Sequence, residues 1–255
     1  YIHSEIEGNV VGTLFSNETS EVRLDLFHQE WQHWIGGLNF HYKRSDVSAD
    51  GEEAFTTPST SETLAVALME ERHFGPVLLQ LGARVERVTI TANDVLLPNL
   101  EVHQHENEDE TDIHDHEEEH GDESTRSFAV KHQFTPISLS FGLVWDLTPG
   151  YNVGIALSHA QRAPSASELL SFGPHIGTRS YEIGALFGLH QDEGEAHFDV
   201  SDSQVELETS NNIDLTFRKH EGDLGIHLNV FFNILVDYYF QQDTRPSAAM
   251  PHSPE

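Results

Sequence analysis

The chain has 255 residues, of which 43 are acidic, 13 are basic and 18 are histidine, and its formal net charge is −30. It has no cysteine, which excludes disulfides, thiolate metal sites and cysteine nucleophiles. Because the negative charge repels the phosphates of nucleic acids and attracts cations, we expect a metal ion and no nucleic acid as partner.

The dominant pattern is an alternation of apolar and polar side chains with a period of two, which predicts β-strands. A run of about 18 apolar residues, as a transmembrane helix needs, does not occur. The alternating runs predict eight strands and one further strand before Asn17. In chain order the runs are Val22–Leu26, Trp34–Lys43, Leu64–Leu68, Val77–Glu86, Ile137–Trp145, Tyr151–Ser158, Asn212–Arg218 and Gly225–Asn233.

The connections between these strands alternate in length. The short ones are Gln29–His33, Phe74–Pro76, Thr148–Gly150 and His220–Asp223, and the long ones are Ser45–Ser61, Asp94–Gln133 and Gln161–Gln204. Short turns at one rim and long loops at the other are typical of a transmembrane β-barrel with short periplasmic turns and long extracellular loops. The sequence therefore predicts an all-β, antiparallel barrel of the outer membrane, embedded in its lipid bilayer. A soluble barrel or sandwich shows the same alternation and is the alternative.

Aromatic residues support the membrane interpretation. Trp34, Phe74, Trp145 and Tyr151 lie at strand ends beside the short turns. Aromatic side chains collect at this level of a membrane barrel and form a girdle where lipid meets water.

The segment 94–133 is predicted to be an extracellular loop rich in His, Asp and Glu. Its central stretch, Glu101–Glu123, contains five histidines among twelve carboxylates. Imidazole and carboxylate ligands suit Zn²⁺, and Cu²⁺ competes for the same ligands. The alternative is a charged loop that only keeps the segment solvated. The predicted metal ligands in this loop are His103, His105, His114, His116 and His120.

Two more segments carry candidate ligands. His190 and His197 lie among acidic residues in the third long connection, where they could assist metal capture. His175 follows Pro174 in a segment that begins at Arg162 and includes a short predicted helical turn at Glu168–Leu170. Because proline restricts the backbone, binding by His175 would lose less entropy than binding by a loop histidine. The motif Gly-x-Ser-x-Gly is absent, and His-Glu-x-x-His occurs only at His116–His120, within the acidic loop and not on a predicted helix, so we expect no enzyme.

Four segments resemble a known family, namely Arg162–Leu169, Phe172–His175, Tyr181–Gly184 and Glu208–Leu215. They resemble the C-terminal half of TonB-dependent receptor barrels, and most of all zinc-uptake receptors of the ZnuD type, which carry a His-rich extracellular loop. The resemblance covers nearly the whole chain.

The resemblance implies a barrel of about 22 strands around an N-terminal plug that contacts TonB. Residues 1–255 then correspond to about 8–10 of those strands, without the plug and the last strands. It also implies that zinc is the transported ligand and that His175 matches a histidine that joins plug residues at the metal.

Other ligands remain open at this point. Gln161-Arg162-Ala163-Pro164 is close to a motif of haem receptors in the same superfamily, whereas Ser210–Ile213 departs from their second motif. In a haem receptor His175 would be an axial ligand. Copper, a siderophore or another metal chelate are further alternatives, and so is a soluble acidic protein that buffers metal.

Overall fold

The computed structural model describes residues 2–7, 10–51, 56–97, 126–175, 180–192, 195–200 and 205–242. These residues form fourteen strands and one short helix. The strands are β1 (Ile2–Glu7), β2 (Val10–Trp31), β3 (Trp34–Gly51), β4 (Ser59–Phe74), β5 (Val77–Leu97), β6 (Arg126–Phe134), β7 (Ile137–Thr148), β8 (Tyr151–Arg162), β9 (Phe172–His175), β10 (Ser180–Ile183), β11 (Phe187–Asp192), β12 (Glu195–Val200), β13 (Glu208–Lys219) and β14 (Ile226–Val236), and the helix is α1 (Ala166–Leu170).

Ten strands form one antiparallel sheet with the order β1-β2-β3-β4-β5-β7-β8-β13-β14, and β6 pairs with β5. Strands β6 and β7 lie in line beside β5, because Phe134 pairs with Val88 and Ile137 with Val85. Pro136 separates β6 from β7, since proline has no N–H to donate to the ladder. The predicted all-β antiparallel fold is confirmed.

The register of the sheet collects the large apolar side chains on one face, here called the apolar face. One row of directly paired residues crosses five strands and consists of Leu26, Leu38, Leu68, Ala83 and Leu139. These side chains do not form a protein core: Leu26 is 50% exposed and Leu139 is 53% exposed. A continuous exposed apolar surface of this extent requires a nonaqueous medium against it. The opposite side of the sheet, the polar face, carries the alternate residues.

Four tight turns of the sheet lie at one edge, here called the short-turn rim, whereas β1 and β2 meet at the opposite edge, where Glu7 pairs with Val10. Gly75 and Gly150 have φ values of 62° and 80°, a conformation that glycine adopts without strain. Aromatic rings lie beside these turns: Trp34 and Phe74 are edge to face, with ring centroids 6.4 Å apart. The four connections at this rim join Trp31 to Trp34, Phe74 to Val77, Thr148 to Tyr151 and Lys219 to Ile226.

At the opposite edge, the long-loop rim, the strands extend beyond the runs that the alternation predicted. Strand β3 continues to Gly51, β5 to Leu97, and β6 already begins at Arg126. The two connections that were predicted as Ser45–Ser61 and Asp94–Gln133 are therefore shorter. In β3 the side chains of this extension are mostly polar, and in β5 the apolar residues Ile90, Ala92 and Val95 are buried and do not continue the apolar face, so the period-two signal fades before the strands end.

The third long connection is a folded unit, whereas the sequence predicted only a helical turn at Glu168–Leu170. It contains α1 and two small antiparallel pairs, β9 with β10 and β11 with β12. The buried residues of the protein lie mainly here, between α1 and the long-loop ends of β5 and β6. This core consists of Ile90, Ala92, Val95, Val130, Phe134, Leu169, Leu170, Leu186 and Phe187. Among the described residues, no helix has the length and apolar character that spanning a membrane requires.

Candidate functional site

The helix α1 starts with a capping box. Ser165 is the N-cap, and its side-chain Oγ accepts a hydrogen bond from the backbone N–H of Glu168 at 3.2 Å. In return, the backbone N–H of Ser165 donates to Glu168 Oε2 at 2.7 Å. Each bond satisfies an N–H that a helix start leaves without a partner, which explains how so short a helix forms.

Arg162 joins this helix to the sheet. Its Nη1 donates to Glu168 Oε2 at 2.7 Å, and its Nη2 donates to Glu208 Oε2 at 2.6 Å. The guanidinium also lies 5.9 Å from the ring centroid of Tyr239. The planar guanidinium suits this task because it can donate to two carboxylates at once. We call Arg162, Glu168 and Glu208 the arginine clamp.

The clamp changes the acidity of both carboxyls. Burial works to raise the pKa of Glu168, but hydrogen bonds from Arg162 and Ser165 outweigh it, and the pKa is lowered. The hydrogen bond from Arg162 is the main cause of the lowered pKa of Glu208. Both carboxylates therefore stay ionised below the pH at which ordinary glutamates become protonated.

Two further backbone contacts fix the position of helix α1. Leu169 is fully buried, and its carbonyl oxygen accepts a hydrogen bond from the N–H of Leu186 at 3.1 Å. On another side, Thr56 and Ser171 form an isolated antiparallel bridge. The helix is thus fixed to the segment before β4 and to the segment before β11.

The candidate ligand His175 follows this anchored unit. It is the last residue of β9, and its backbone pairs with Ser180 of β10. Its side chain lies outside the described part of the protein. The role of His175 as a metal ligand stays a prediction.

The other two candidates in this connection lie in one β-ribbon. Strands β11 and β12 are antiparallel, and the register pairs His190 directly with His197. Asp192 pairs with Glu195, two positions further along each strand. Residues two apart in a strand share a face, so the backbone register assigns these four positions to the same face of the ribbon, while their side chains lie outside the described part of the protein. Sequence reasoning found the two histidines, but it did not find that they are cross-strand partners.

The five histidines of the predicted capture loop, His103, His105, His114, His116 and His120, lie outside the described residues. Within the described residues, no group of three or more His, Asp or Glu side chains is close enough to hold a metal ion.

On the polar face, a chain of polar and charged side chains crosses strands β2 to β5. His41 Nε2 lies 3.0 Å from Glu21 Oε1, and Arg84 Nη2 lies 3.4 Å from His41 Nδ1. Because a guanidinium only donates, Nδ1 accepts and Nε2 donates to Glu21. Arg84 also bonds the carboxylate of Glu86. Ala65 of β4 lies between His41 and Glu86 in the register and is only 1% exposed, so its small side chain leaves room for this chain of groups.

The comparisons with known proteins agree with this architecture. The family model described as "TonB dependent receptor-like, beta-barrel" matches residues 5–251. The chain belongs to this family. A similar solved structure is the Serratia marcescens hemophore receptor HasR, as a double mutant in complex with its hemophore HasA and heme. The TM-score is 0.52 at 12% sequence identity, and the match covers 87% of this chain and 33% of HasR. At this identity the likeness shows the fold, and the chain spans about a third of the length of HasR.

Family membership fixes the surroundings of the sheet. TonB-dependent receptor barrels are outer-membrane proteins, so the apolar face contacts lipid and the polar face lines the lumen. The short-turn rim is periplasmic and the long-loop rim is extracellular. The arginine clamp, α1 and the β11–β12 ribbon therefore lie on the extracellular side. The predicted outer-membrane barrel is confirmed, and the soluble sandwich is not retained.

The clamp makes a pH-dependent contribution to the stability of this extracellular unit. Because the pKa values of Glu168 and Glu208 are lowered by folding, the contribution is complete above the ordinary glutamate pKa of about 4.3 and is lost as the pH falls through the lowered values. We expect Arg162→Gln to speed amide hydrogen exchange of α1 by about three- to tenfold at pH 7, because the variant loses charge-assisted hydrogen bonds at a half-exposed site. The matched control is Arg23→Gln, a lumenal arginine paired with Glu21. If α1 exchanges equally fast in both variants at pH 7, the clamp does not stabilise α1.

Proposed function

We propose that this chain is part of an outer-membrane receptor that imports a transition metal ion, with zinc as the best-fitting ion. The observation that carries the proposal is the supply of imidazole on the extracellular side: five histidines in the connection between β5 and β6, and the pair His190 and His197 in the ribbon. The chain offers no thiolate, and imidazole with carboxylate suits zinc.

The ribbon adds a geometric argument. Residues directly opposite each other in an antiparallel pair have Cβ atoms about 4.5–5.5 Å apart. The proposal requires both imidazoles to turn toward one ion, with Zn–N bonds of about 2.0–2.1 Å. Asp192 and Glu195 add two carboxylates on the same face of the ribbon. A two-histidine ribbon with flanking carboxylates is therefore a suitable anchor for an ion that the loop histidines capture.

His175 is proposed as the next ligand, which passes the ion toward the lumen. This step depends on further ligands from a plug domain. The proposal therefore includes a plug inside the complete barrel and contact of that plug with TonB. Residues 1–255 supply part of the barrel wall, and residues 94–133 include the capture loop.

Haem is the second candidate ligand, because the HasR structure is a complex with hemophore and heme and the Gln161-Arg162-Ala163-Pro164 segment is close to a haem-receptor motif. Haem needs one or two axial ligands and an apolar cleft for the macrocycle. The histidine segments here are flanked instead by carboxylates, which favour a free cation over a porphyrin. Copper and metal chelates such as siderophores are the other alternative ligands of the receptor.

The test separates imidazole from charge in the complete receptor. In one variant the five loop histidines are replaced by glutamine and the carboxylates are kept; in the other, residues 101–123 are replaced by a Gly-Ser segment of equal length. We expect both variants to take up about tenfold less zinc than the unaltered receptor at limiting external zinc. Haem uptake is measured in the same cells.

Unchanged zinc uptake by the five-histidine variant would refute the capture role. Growth on haem that requires the receptor, without receptor-dependent zinc uptake, would replace zinc by haem as the cargo.

A further inference from the structure

A cationic site of a different kind lies at the opposite, periplasmic rim of the barrel. Arg72 is the third residue from the end of β4 and pairs with Trp34 of β3 and Leu79 of β5. It continues the even-numbered series of Leu64 and Leu68, and so belongs to the apolar, lipid-contacting face. An arginine on this face, at the edge of the apolar band, requires an explanation because charged groups are costly in lipid.

Two aromatic rings hold the guanidinium of Arg72. Its Cζ lies 4.6 Å from the ring centroid of Phe74 and 5.7 Å from that of Trp34. The two rings are edge to face at 6.4 Å, so they form a corner that fixes the position of the cation. Cation–π contacts of this kind orient a guanidinium without neutralising it.

No anion of the described protein neutralises Arg72. It takes part in none of the ion pairs between described residues, and its Nε is shielded from solvent without a hydrogen-bond partner there. The nearest carboxylate on the same strand and face is Glu70, and both of its oxygens lie within 3.1 Å of His28 Nε2. The charge of Arg72 is therefore available to an external anion.

Lys219 is a second cation beside an aromatic ring at this rim, but it has hydrogen-bond partners within the protein. Lys219 lies 5.8 Å from the ring centroid of Tyr151, but its ammonium donates to the carbonyl oxygens of Glu221 and Leu224, each at 2.6 Å. The ammonium of Lys219 is therefore hydrogen-bonded within its own turn, whereas the guanidinium of Arg72 has no hydrogen-bond partner among the described residues.

We propose that Arg72, with Trp34 and Phe74, binds the phosphodiester of an anionic phospholipid in the periplasmic leaflet of the outer membrane. The anion at the depth where the apolar band ends is the lipid phosphate, and a guanidinium can donate to two of its oxygens at once. The aromatic corner contacts the lipid glycerol and upper acyl chain, which a free phosphate ion does not have.

The test uses the complete receptor in detergent micelles titrated with phosphatidylglycerol, with bound lipid counted by native mass spectrometry. Arg72→Gln is compared with Arg72→Lys and with the lumenal control Arg23→Gln, which makes the same charge change away from lipid. We expect Arg72→Gln to weaken the tightest phosphatidylglycerol binding by about fivefold, the effect of one basic residue at an anionic membrane surface. Arg72→Lys should recover part of the loss, and Arg23→Gln should bind as the unaltered receptor does.

Equal binding by Arg72→Gln and the unaltered receptor, or an equal loss in Arg23→Gln, would overturn the proposal. Displacement of the lipid by millimolar inorganic phosphate would also overturn it, because the site would then bind any phosphate and not a membrane lipid. Heat-modifiable migration in gel electrophoresis verifies that each variant is a folded barrel, and Arg72→Lys keeps the test decisive if Arg72→Gln does not fold.

Discussion

Replacing both His190 and His197 by glutamine is expected to weaken Zn²⁺ binding by the extracellular ribbon about 10- to 100-fold. The register pairs the two residues directly across β11 and β12. A two-stranded ribbon of fixed register presents its ligands with little loss of backbone entropy, whereas a long acidic loop must be ordered by the ion. The loss should therefore appear in the tightest binding step.

The measurement is calorimetry of the purified receptor with Zn²⁺ in a background in which the five loop histidines are already glutamine, so that the loop cannot mask the ribbon. The matched control is His73→Gln with His220→Gln, two histidines near the periplasmic turns. The ribbon is not a zinc site if the two double variants bind Zn²⁺ equally. This failure would leave the loop proposal standing, since the loop is tested separately by uptake.

Gly184→Ala is expected to loosen the extracellular unit around α1. A Cβ at this position would lie 2.5 Å from the carbonyl oxygen and 2.6 Å from the carbonyl carbon of Leu169, both of them backbone atoms that cannot rotate away. Because Leu169 is fully buried in the extracellular core, the helix must shift as a whole. Overpacking of this kind costs about 1–3 kcal/mol. Amide hydrogen exchange of α1 should then accelerate by about 10- to 100-fold.

Gly154→Ala is the matched control for this change. A Cβ at Gly154 would make only ordinary contacts, the nearest at 3.6 Å from the carbonyl oxygen of Leu143. Exchange in α1 should be unchanged in this variant. If Gly184→Ala also left exchange unchanged while the barrel remained folded, the close approach of Gly184 to α1 would not be what holds the helix. Since β9 follows α1 directly, loosening α1 should also disturb the segment that carries His175.

Much of the barrel wall could be predicted because the polarity of each side chain depends only on which face of its own strand it lies on. In the runs Ile137–Trp145 and Tyr151–Ser158, each side chain faces either lipid or lumen, so its polarity reports its face. Beyond the lipid-contacting band this relation fails, because Ile90, Ala92 and Val95 of β5 pack in the extracellular core. The sequence therefore did not indicate that β3 reaches Gly51 or that β5 reaches Leu97. A helical turn was predicted at Glu168–Leu170, and the observed helix is Ala166–Leu170. Its capping box is a local signal that would have placed the start, since Ser165 and Glu168 are three residues apart.

The site was less predictable than the wall, because its contacts join distant segments. Arg162 was part of a recognisable motif, but its bond to Glu208 across 46 residues is not visible in the sequence. The same holds for His41 and Arg84, which lie 43 residues apart and meet over the small side chain of Ala65. A small residue in an alternating strand is the only local signal of such a network, and it is too common to identify one.

The sequence by itself determined that the chain is an antiparallel sheet with one lipid-contacting face, that its turns are short at one rim, and that its histidines are concentrated in the long connections. These properties follow from side-chain type and spacing, which can be read directly from the sequence. Only the tertiary structure decided that Arg162 fastens α1 to β13, that His190 lies opposite His197, and that Arg72 keeps an unneutralised charge between two aromatic rings. Those properties depend on register and on contacts between segments far apart in the chain, which are fixed when the strands pair.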